Sequence, residues 1–577
     1  MSDMTKLLFL TPMHITFESF KNPANNVRCI QKQDGRSYNL PPTDLPLGFL
    51  SLSAYLKKSL DVEIRLLDFN VEVVKAQAFP FETFHDYVAD QLKDLDFDPD
   101  IIGVSCLFSP SYQNFLDTGA AVRAVYPDKL IIGGGNVPTS AYQEVYSEAR
   151  GQAFDALCYG EGEVPLHDLV VAEDRKRYLS NSPNWITYKN ATSPLPFTPS
   201  HNFIEDLDEI PFFDYDLCDI DAHNANLVIS SFASEKAKRS FHVMTSRGCP
   251  FKCTFCASHA VHGRDMRYHS LERIEADFRI LKEKYGGDTM IFQDDHLMSD
   301  KTRVKAILDI LKRLELKSVY QSGLALYALD RDMLEHFYAA GVRQLVLAVE
   351  SGSQRVLKQL MKKPLKFKVT QQVAKDCREL GIYTNANILI GMPGETKADM
   401  DEARETLREL GSNWFHINCA SPLIGSEMHE VSREKGYIRG ETLGADYKVA
   451  AVETEDFSIP FIQEMQYLMN LELNFVHNAD VKLGEYKMAL AGFDNVIRIK
   501  PDHAFAWYYG ALCHKGMDDR ESCAAYMEKF RQYAKDPLWA RYCVDFGLDP
   551  EATEPMPPPE NYVLPEPAIA PTEQAVA

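Results

Sequence analysis

The stretch Ser246-Arg247-Gly248-Cys249-Pro250-Phe251-Lys252-Cys253-Thr254-Phe255-Cys256 decides how this chain is read. Three thiols fall within eight residues in the spacing CxxxCxxC, directly after an apolar, strand-like run from Phe241 to Thr245. A chain that leaves a strand and turns sharply there can point all three sulfurs at one place. Thiolates ligate iron–sulfur clusters, and a cubane held by three cysteines leaves one iron without a protein ligand. An open position is what separates a catalytic metal site from a closed structural one. The spacing alone leaves two other readings open, a zinc knuckle short of its fourth ligand and three unrelated thiols.

Working outward, Asp206-Leu207-Asp208-Glu209-Ile210-Pro211 precedes the cysteines. Met290 to Asp295 reads as a strand ending in carboxylates, Leu345 to Ser353 as a strand ending in Glu-Ser-Gly, and Ile388 to Thr396 as a strand running into Gly-Met-Pro-Gly-Glu-Thr. Polar-tipped strands separated by helical runs predict a partial α/β barrel whose C-terminal strand ends carry the site. With Phe255 just before the third cysteine, this order resembles the radical S-adenosylmethionine (SAM) enzymes over roughly residues 205–430. The resemblance implies a [4Fe–4S] cluster on Cys249, Cys253 and Cys256, with SAM chelating the fourth iron and yielding a 5′-deoxyadenosyl radical. It implies SAM contacts at Phe255, Asp294, Asp295, Ser322, Glu350 and Gly391.

Composition bounds the rest. A chain of 577 residues holds three or four domains on the usual prior. A net charge of -22 argues against a nucleic-acid footprint, which needs clustered Lys and Arg. Twelve cysteines, three of them at 249–256, do not form a disulfide framework, which fits a reducing cytoplasm. The N-terminus is too acidic and its apolar run too short for a signal peptide. No run approaches the ~18 apolar residues of a membrane span.

Residues 6–170 alternate short apolar strands with amphipathic helices, which predicts a doubly wound parallel sheet with helices on both faces. Ligands of such sheets sit beyond the carboxyl ends of the strands. Those ends are Thr11-Pro12, Asp68, Ser105-Cys106, Gly133-Gly134-Gly135-Asn136 and Tyr159-Gly160-Glu161-Gly162-Glu163. Together with Pro41-Pro42 and Leu45-Pro46-Leu47-Gly48, they resemble the cobalamin-binding domain that precedes the barrel in the cobalamin-dependent radical SAM subfamily. The contacts so implied are Thr11, Pro12, Leu47, Asp68, Ser105, Cys106, Gly134, Gly135, Asn136, Gly160 and Glu161. The Asp-x-His-x-x-Gly motif of His-ligated cobalt is absent, and Asn136 stands where relatives often carry His. Cys29, Cys106 and Cys158 are expected to be buried or idle thiols.

The expected fold class is α/β: a Rossmann-like cobalamin domain at 1–173, a linker at 174–204, a partial (β/α)6 radical SAM barrel at 205–430, and a helical substrate-side cover at 431–476. A tetratricopeptide-like α-helical segment follows at 477–550 and a disordered, Pro-rich tail at 551–577. Ala489, Phe493, Val496 and Pro501 match the repeat's spacing, and Trp507 falls 18 residues after Ala489, at the next repeat's first anchor. The resemblance implies methylation of an unactivated carbon or a phosphinate phosphorus through the 5′-deoxyadenosyl radical and methylcobalamin. The alternative within the family is a non-methylating reaction such as oxidative cyclisation of a tetrapyrrole, as in the anaerobic magnesium-protoporphyrin ester cyclases. A non-catalytic scaffold is the alternative outside it. His259, His262, His269 and His296 are candidates to touch substrate. Expected partners are a small-molecule substrate, an electron donor such as flavodoxin or ferredoxin, and a protein at the C-terminal helices, with no nucleic acid and no transmembrane segment.

Overall fold

The structure is a computed structural model that describes residues 4–23, 27–195, 197–226, 238–439, 443, 449–558, 565 and 567. Its first sheet contains β1 (Thr5–Thr11), β2 (Val62–Asp68), β3 (Ile101–Ser105), β4 (Leu130–Gly134), β5 (Ala156–Cys158) and β6 (Trp185–Ile186), in the order β2-β1-β3-β4-β5-β6. All neighbours are parallel except β5 and β6. The apolar run of β1 explains its central place. Leu8 and Leu10 enter one buried core, and Leu7 and Phe9 enter the core on the opposite face. Side chains alternate along a strand, so a continuous apolar run suits a strand covered on both sides.

The stretch 174–204 is not the linker its polar composition predicts. Asp174 caps a helix at Arg175–Asn181, and β6 then pairs with β5, burying Trp185 to 1 % exposure. Two strand residues are too few to leave a sequence pattern, so the first domain runs further than residue 173.

The second body holds six parallel strands in two sheets: β7 (Ser240–Val243), β8 (Thr289–Phe292) and β9 (Lys317–Tyr320), then β10 (Gln344–Glu350), β11 (Tyr383–Ile390) and β12 (Trp414–Cys419). A bridge between Leu324 and Leu347 joins the sheets, so the barrel is partial and open, as expected. Helices with Asp or Ser N-caps follow the strands, at Leu271–Glu283, Lys301–Arg313 and Arg331–Ala339.

The open edge at β12 is covered by the helix Ile459–Leu471 and the π-turn Glu472–Val476. The Asn474 amide accepts from Phe415 N–H at 2.8 Å and donates to Phe415 C=O at 2.9 Å, and Gln466 donates to Ile417 C=O. Side-chain amides thus stand in for a missing strand and keep the edge from pairing elsewhere. Expected as a cover over the barrel mouth, 459–476 chiefly seals this edge, although Ile462 reaches the mouth at Gly391. Four helices (Tyr486–Ile499, Ala504–Gly516, Arg520–Tyr533, Pro537–Asp545) then pack through Phe475 and Phe493 onto the barrel. Ala489 and Phe493 are buried as the repeat spacing predicts.

The tail is partly ordered, contrary to expectation. Tyr508 bonds Met556, Lys515 bonds Glu554, and fully buried Arg404 donates to Pro565 C=O at 3.0 Å and to Glu472 at 2.8 Å. Most of the predicted tail beyond 558, and residues 440–442 and 444–448 of the predicted cover, lie outside the described residues. Removing one partner of a buried ion pair leaves an uncompensated charge. Arg404→Met is therefore expected to lower unfolding free energy by roughly 3–5 kcal/mol in urea titrations, with part recovered in Arg404→Met/Glu472→Leu.

Candidate functional site

The cluster loop leaves β7 and is shaped by Gly248, whose φ of +93° and 2.2 Å gap from a built Cβ to Asp265 C=O admit no side chain. Cys249 N–H donates to Gly263 C=O, and Arg264 donates to Phe251 C=O. Thr254 is clamped by Met361 C=O, by Leu360 C=O at 2.7 Å, and by Met428 N–H. These ties fix the backbone while leaving Cys249, Cys253 and Cys256 half-exposed. Burial pushes the Cys249 thiol up, and the Cys253 thiol up to about 11, with Cys256 a contributing neighbour of both and Cys249 of Cys253. Among the described residues no three ligating side chains converge closely enough for a single metal ion.

The expected SAM contacts divide. Asp294 is buried and fully engaged: it accepts from Ser246 Oγ at 2.6 Å, Thr245 Oγ1 at 2.7 Å and Thr245 N–H, pinning the end of β8 to the start of the cluster loop. Its neighbour Asp295 is half-buried and near enough to bear on Cys249. Glu350 ends β10 at a bulge with φ of +69°, a left-handed conformation that costs a non-glycine residue about 1–3 kcal/mol and tends to mark functional sites. Its carboxylate pairs with Lys363 at 3.0 Å. Gly391 N–H and Met392 N–H donate to buried Glu395, whose carboxyl burial pushes up to about 7 and whose second oxygen makes no hydrogen bond. Phe255 lies at the cleft described below, and Ser322 is exposed after β9.

The first sheet presents its carboxyl edge to this loop. A cleft of about 320 Å³ is lined by Leu107, Phe108 and Ser109 after β3, Asn136 and Val137 after β4, and Phe255, Cys256 and Ser258 of the cluster loop. Gly135 makes the approach feasible: its φ is +105°, and a Cβ there would lie 2.6 Å from Cys106 C=O. Buried polar atoms without a hydrogen bond collect along the same strand ends, namely Thr11 Oγ1 and His14 Nδ1, together with Asp68 Oδ2, which faces the buried His223 ring at 4.0 Å. Asp68 otherwise holds Asn70, which in turn holds Pro12 C=O and His14 N–H. Unsatisfied buried polar groups cost about 1–3 kcal/mol each, and the amide-fringed rim of a corrinoid would satisfy them. The residues present therefore fit cobalamin.

Glu161 has another partner. Both it and Glu163 are buried, and they meet the arginine that precedes Gly248: Arg247 lies 3.1 Å from Glu161 and 2.7 Å from Glu163. Arg267 and His262 also hold Glu161, at 2.6 and 2.8 Å. Burial alone would raise the Glu161 carboxyl, but Arg247, Arg267 and His262 outweigh it and hold it well below its ordinary value. Gly160 faces His201, Leu47 packs on the barrel core, and Cys106 and Cys158 are buried, whereas Cys29 is exposed. His262, His269 and His296 pair with Glu161, Asp208 and Tyr327, so three of the four substrate candidates are engaged with the chain itself. Arg247, Glu163, Lys363 and Glu395 were not expected. Arg247, Glu163 and Glu395 sit in quoted motifs and Lys363 ten residues beyond one, but only pairing in space reveals their roles.

Comparison with known proteins agrees with this geometry. The Radical SAM superfamily matches residues 243–407, and the B12 binding domain matches residues 43–170. Cytidylyl-2-hydroxyethylphosphonate methyltransferase of Streptomyces wedmorensis is 26% identical over 446 residues, covering 70% of this chain and 80% of that protein. The anaerobic magnesium-protoporphyrin IX monomethyl ester cyclase of Rubrivivax gelatinosus is 25% identical, covering 59% and 60%. The cobalamin-dependent SAM radical enzyme OxsB, solved with aqua-cobalamin and SAM, superposes with a TM-score of 0.59 at 14% identity over 95% of this chain and 76% of that one.

The contribution of Glu161 is complete above the ordinary carboxylate pKa of 4.5 and is lost as the pH falls from there toward its depressed folded value. Glu161→Gln is expected to cost roughly 3–5 kcal/mol at pH 7 and to flatten the loss of stability as the pH falls below about 4.5, read by urea unfolding at each pH.

Proposed function

We propose that this chain is a cobalamin-dependent radical SAM enzyme that methylates an unactivated carbon of a small molecule. Its cofactors are a [4Fe–4S] cluster, SAM and cobalamin. When bound, they supply a 5′-deoxyadenosyl radical that removes a substrate hydrogen and a methyl group carried on cobalt.

The chain's own residues hold and orient these groups. Cys249, Cys253 and Cys256 ligate the cluster, and Asp294 and Arg247 fix the loop that carries them. Glu350, positioned by Lys363, and Asp295 face SAM, while Glu395 sets the Gly391 backbone against it. Thr11, His14, Asp68, Asn136 and the Gly134-Gly135 turn receive the corrinoid. The observation that carries the reading is the single cleft into which both the cluster loop and the sheet's strand ends open. Among the described residues its lining has no charged side chain. That favours a neutral carbon acceptor over a phosphinate, whose anionic oxygens would call for cations. Hydrogen abstraction by a radical needs no protein base, and none faces the cleft among the described residues. A reductant of the flavodoxin or ferredoxin type and a cytoplasmic location complete the proposal. The C-terminal helices, packed on the barrel edge, serve as a structural cap in preference to a protein-docking groove.

Cys253→Ala is expected to abolish cluster assembly, read as lost iron and lost absorption near the thiolate-to-iron bands; retained iron and SAM cleavage would refute the ligand assignment. With CD3-labelled SAM, label is expected in the product. A product formed with loss of hydrogen and no label would instead establish the cyclase-like alternative.

A further inference from the structure

The chain has a net charge of -22, yet from Ser351 to Lys375 it contains Arg355, six lysines and no carboxylate. Four of these cations are matched within the fold: Arg355 by Asp399, Lys362 by Glu427, Lys363 by Glu350 and Lys375 by Glu379. Lys358, Lys366 and Lys368 are exposed and join no ion pair among the described residues. The Gln354 amide donates to Leu365 C=O and accepts from Phe367 N–H, both at 3.1 Å, which folds the turn bearing Lys358 against the segment bearing the other two. The helix Phe367–Leu380 starts there with Lys366 at its N-cap, no side-chain cap and no acid in its first turn. The helix dipole disfavours cations at that end. Helix stability thus gives no reason for these lysines.

This cationic face adjoins the cluster loop. Thr254, bonded covalently to Cys253, donates its N–H to Met361 C=O at 3.1 Å and its hydroxyl to Leu360 C=O at 2.7 Å. The cleft is lined instead by Cys256 and its neighbours, so a partner here approaches a different side of the loop. Reductive cleavage of SAM consumes one electron each time, and no group of the chain supplies it. Resting on the functional reading above, we infer that the face formed by Lys358, Lys366 and Lys368 docks a small acidic electron-transfer protein, whose electron reaches the cluster through the Leu360 and Met361 carbonyls, Thr254 and Cys253. The donor is oxidised by one electron and the cluster reduced by one, with no atom or proton exchanged. The acidic balance of the rest of the chain repels such a donor elsewhere, so the same charges that attract it here also set its orientation.

The test uses reconstituted holoenzyme with flavodoxin, an acidic FMN protein, as the probe. Binding is measured by calorimetry at low and high salt, and cluster bleaching by stopped flow with reduced flavodoxin or with dithionite. For Lys358→Glu/Lys366→Glu/Lys368→Glu the expected result is binding weakened by about tenfold or more, a flatter salt dependence, and flavodoxin-driven bleaching slowed in step. Dithionite-driven bleaching is expected to be unchanged, and Lys358→Gln/Lys366→Gln/Lys368→Gln to fall between. Binding equal to wild type in the Glu variant would overturn the inference. So would an equal loss of dithionite reduction, which would make the lysines structural, or wild-type preference for an RNA oligonucleotide over flavodoxin at this face. Wild-type holoenzyme that dithionite cannot drive to cleave SAM would strike down the functional reading itself, and the inference with it.

Discussion

Two carboxylates of the first sheet and two guanidiniums of the cluster loop region, all buried, hold this molecule in its working arrangement. Glu161 and Glu163 follow β5, whereas Arg247 immediately precedes Gly248 and Cys249 and Arg267 lies just beyond the loop. Buried ion pairs are weak evidence for net stability, because desolvation offsets much of their attraction. Their value lies in geometry: any other docking would leave charges buried and unmatched. The pairing sets the register between the strand ends of the first sheet and the cysteine-bearing loop.

From that register the rest follows. Asp294 ties β8 to the residues just before the cluster loop, and Thr254 ties the loop to the turn after β10. The three thiols consequently stay part-exposed, with Cys256 at the cleft, while their backbone stays fixed. A radical reaction benefits from such rigidity, since the protein contributes orientation and exclusion of side reactions and leaves the bond-making to the cofactors. The barrel's open edge, a liability in any partial barrel, is closed by Asn474 and Gln466.

Much of this was legible in the sequence because it is local. The CxxxCxxC spacing, the apolar runs of β1, β3 and β4, and the polar strand tips each occupy a few consecutive residues. What escaped is long-range or too short to leave a pattern. Glu161 reads as a cofactor contact from its place at a strand end, and only its partner 106 residues away, Arg267, reveals it as a domain clasp. Asp294 reads as a SAM contact from its place at a strand end, and its bonds to Ser246 and Thr245, 48 and 49 residues away, leave no local pattern. The two-residue β6 hid inside a polar stretch, and Pro565, in a tail whose composition suggests disorder, meets buried Arg404 from 161 residues away.

The measurement that bears most directly on the account is the iron and cobalt content of anaerobically purified protein produced with cobalamin supplied, followed by extraction of the corrinoid. The account predicts about four irons and about one cobalt per chain, the latter as extractable cobalamin. Iron without cobalt after full loading would contradict it: the strand ends would then be a lid over the cluster, and methyl transfer from cobalt would have no place in the cleft.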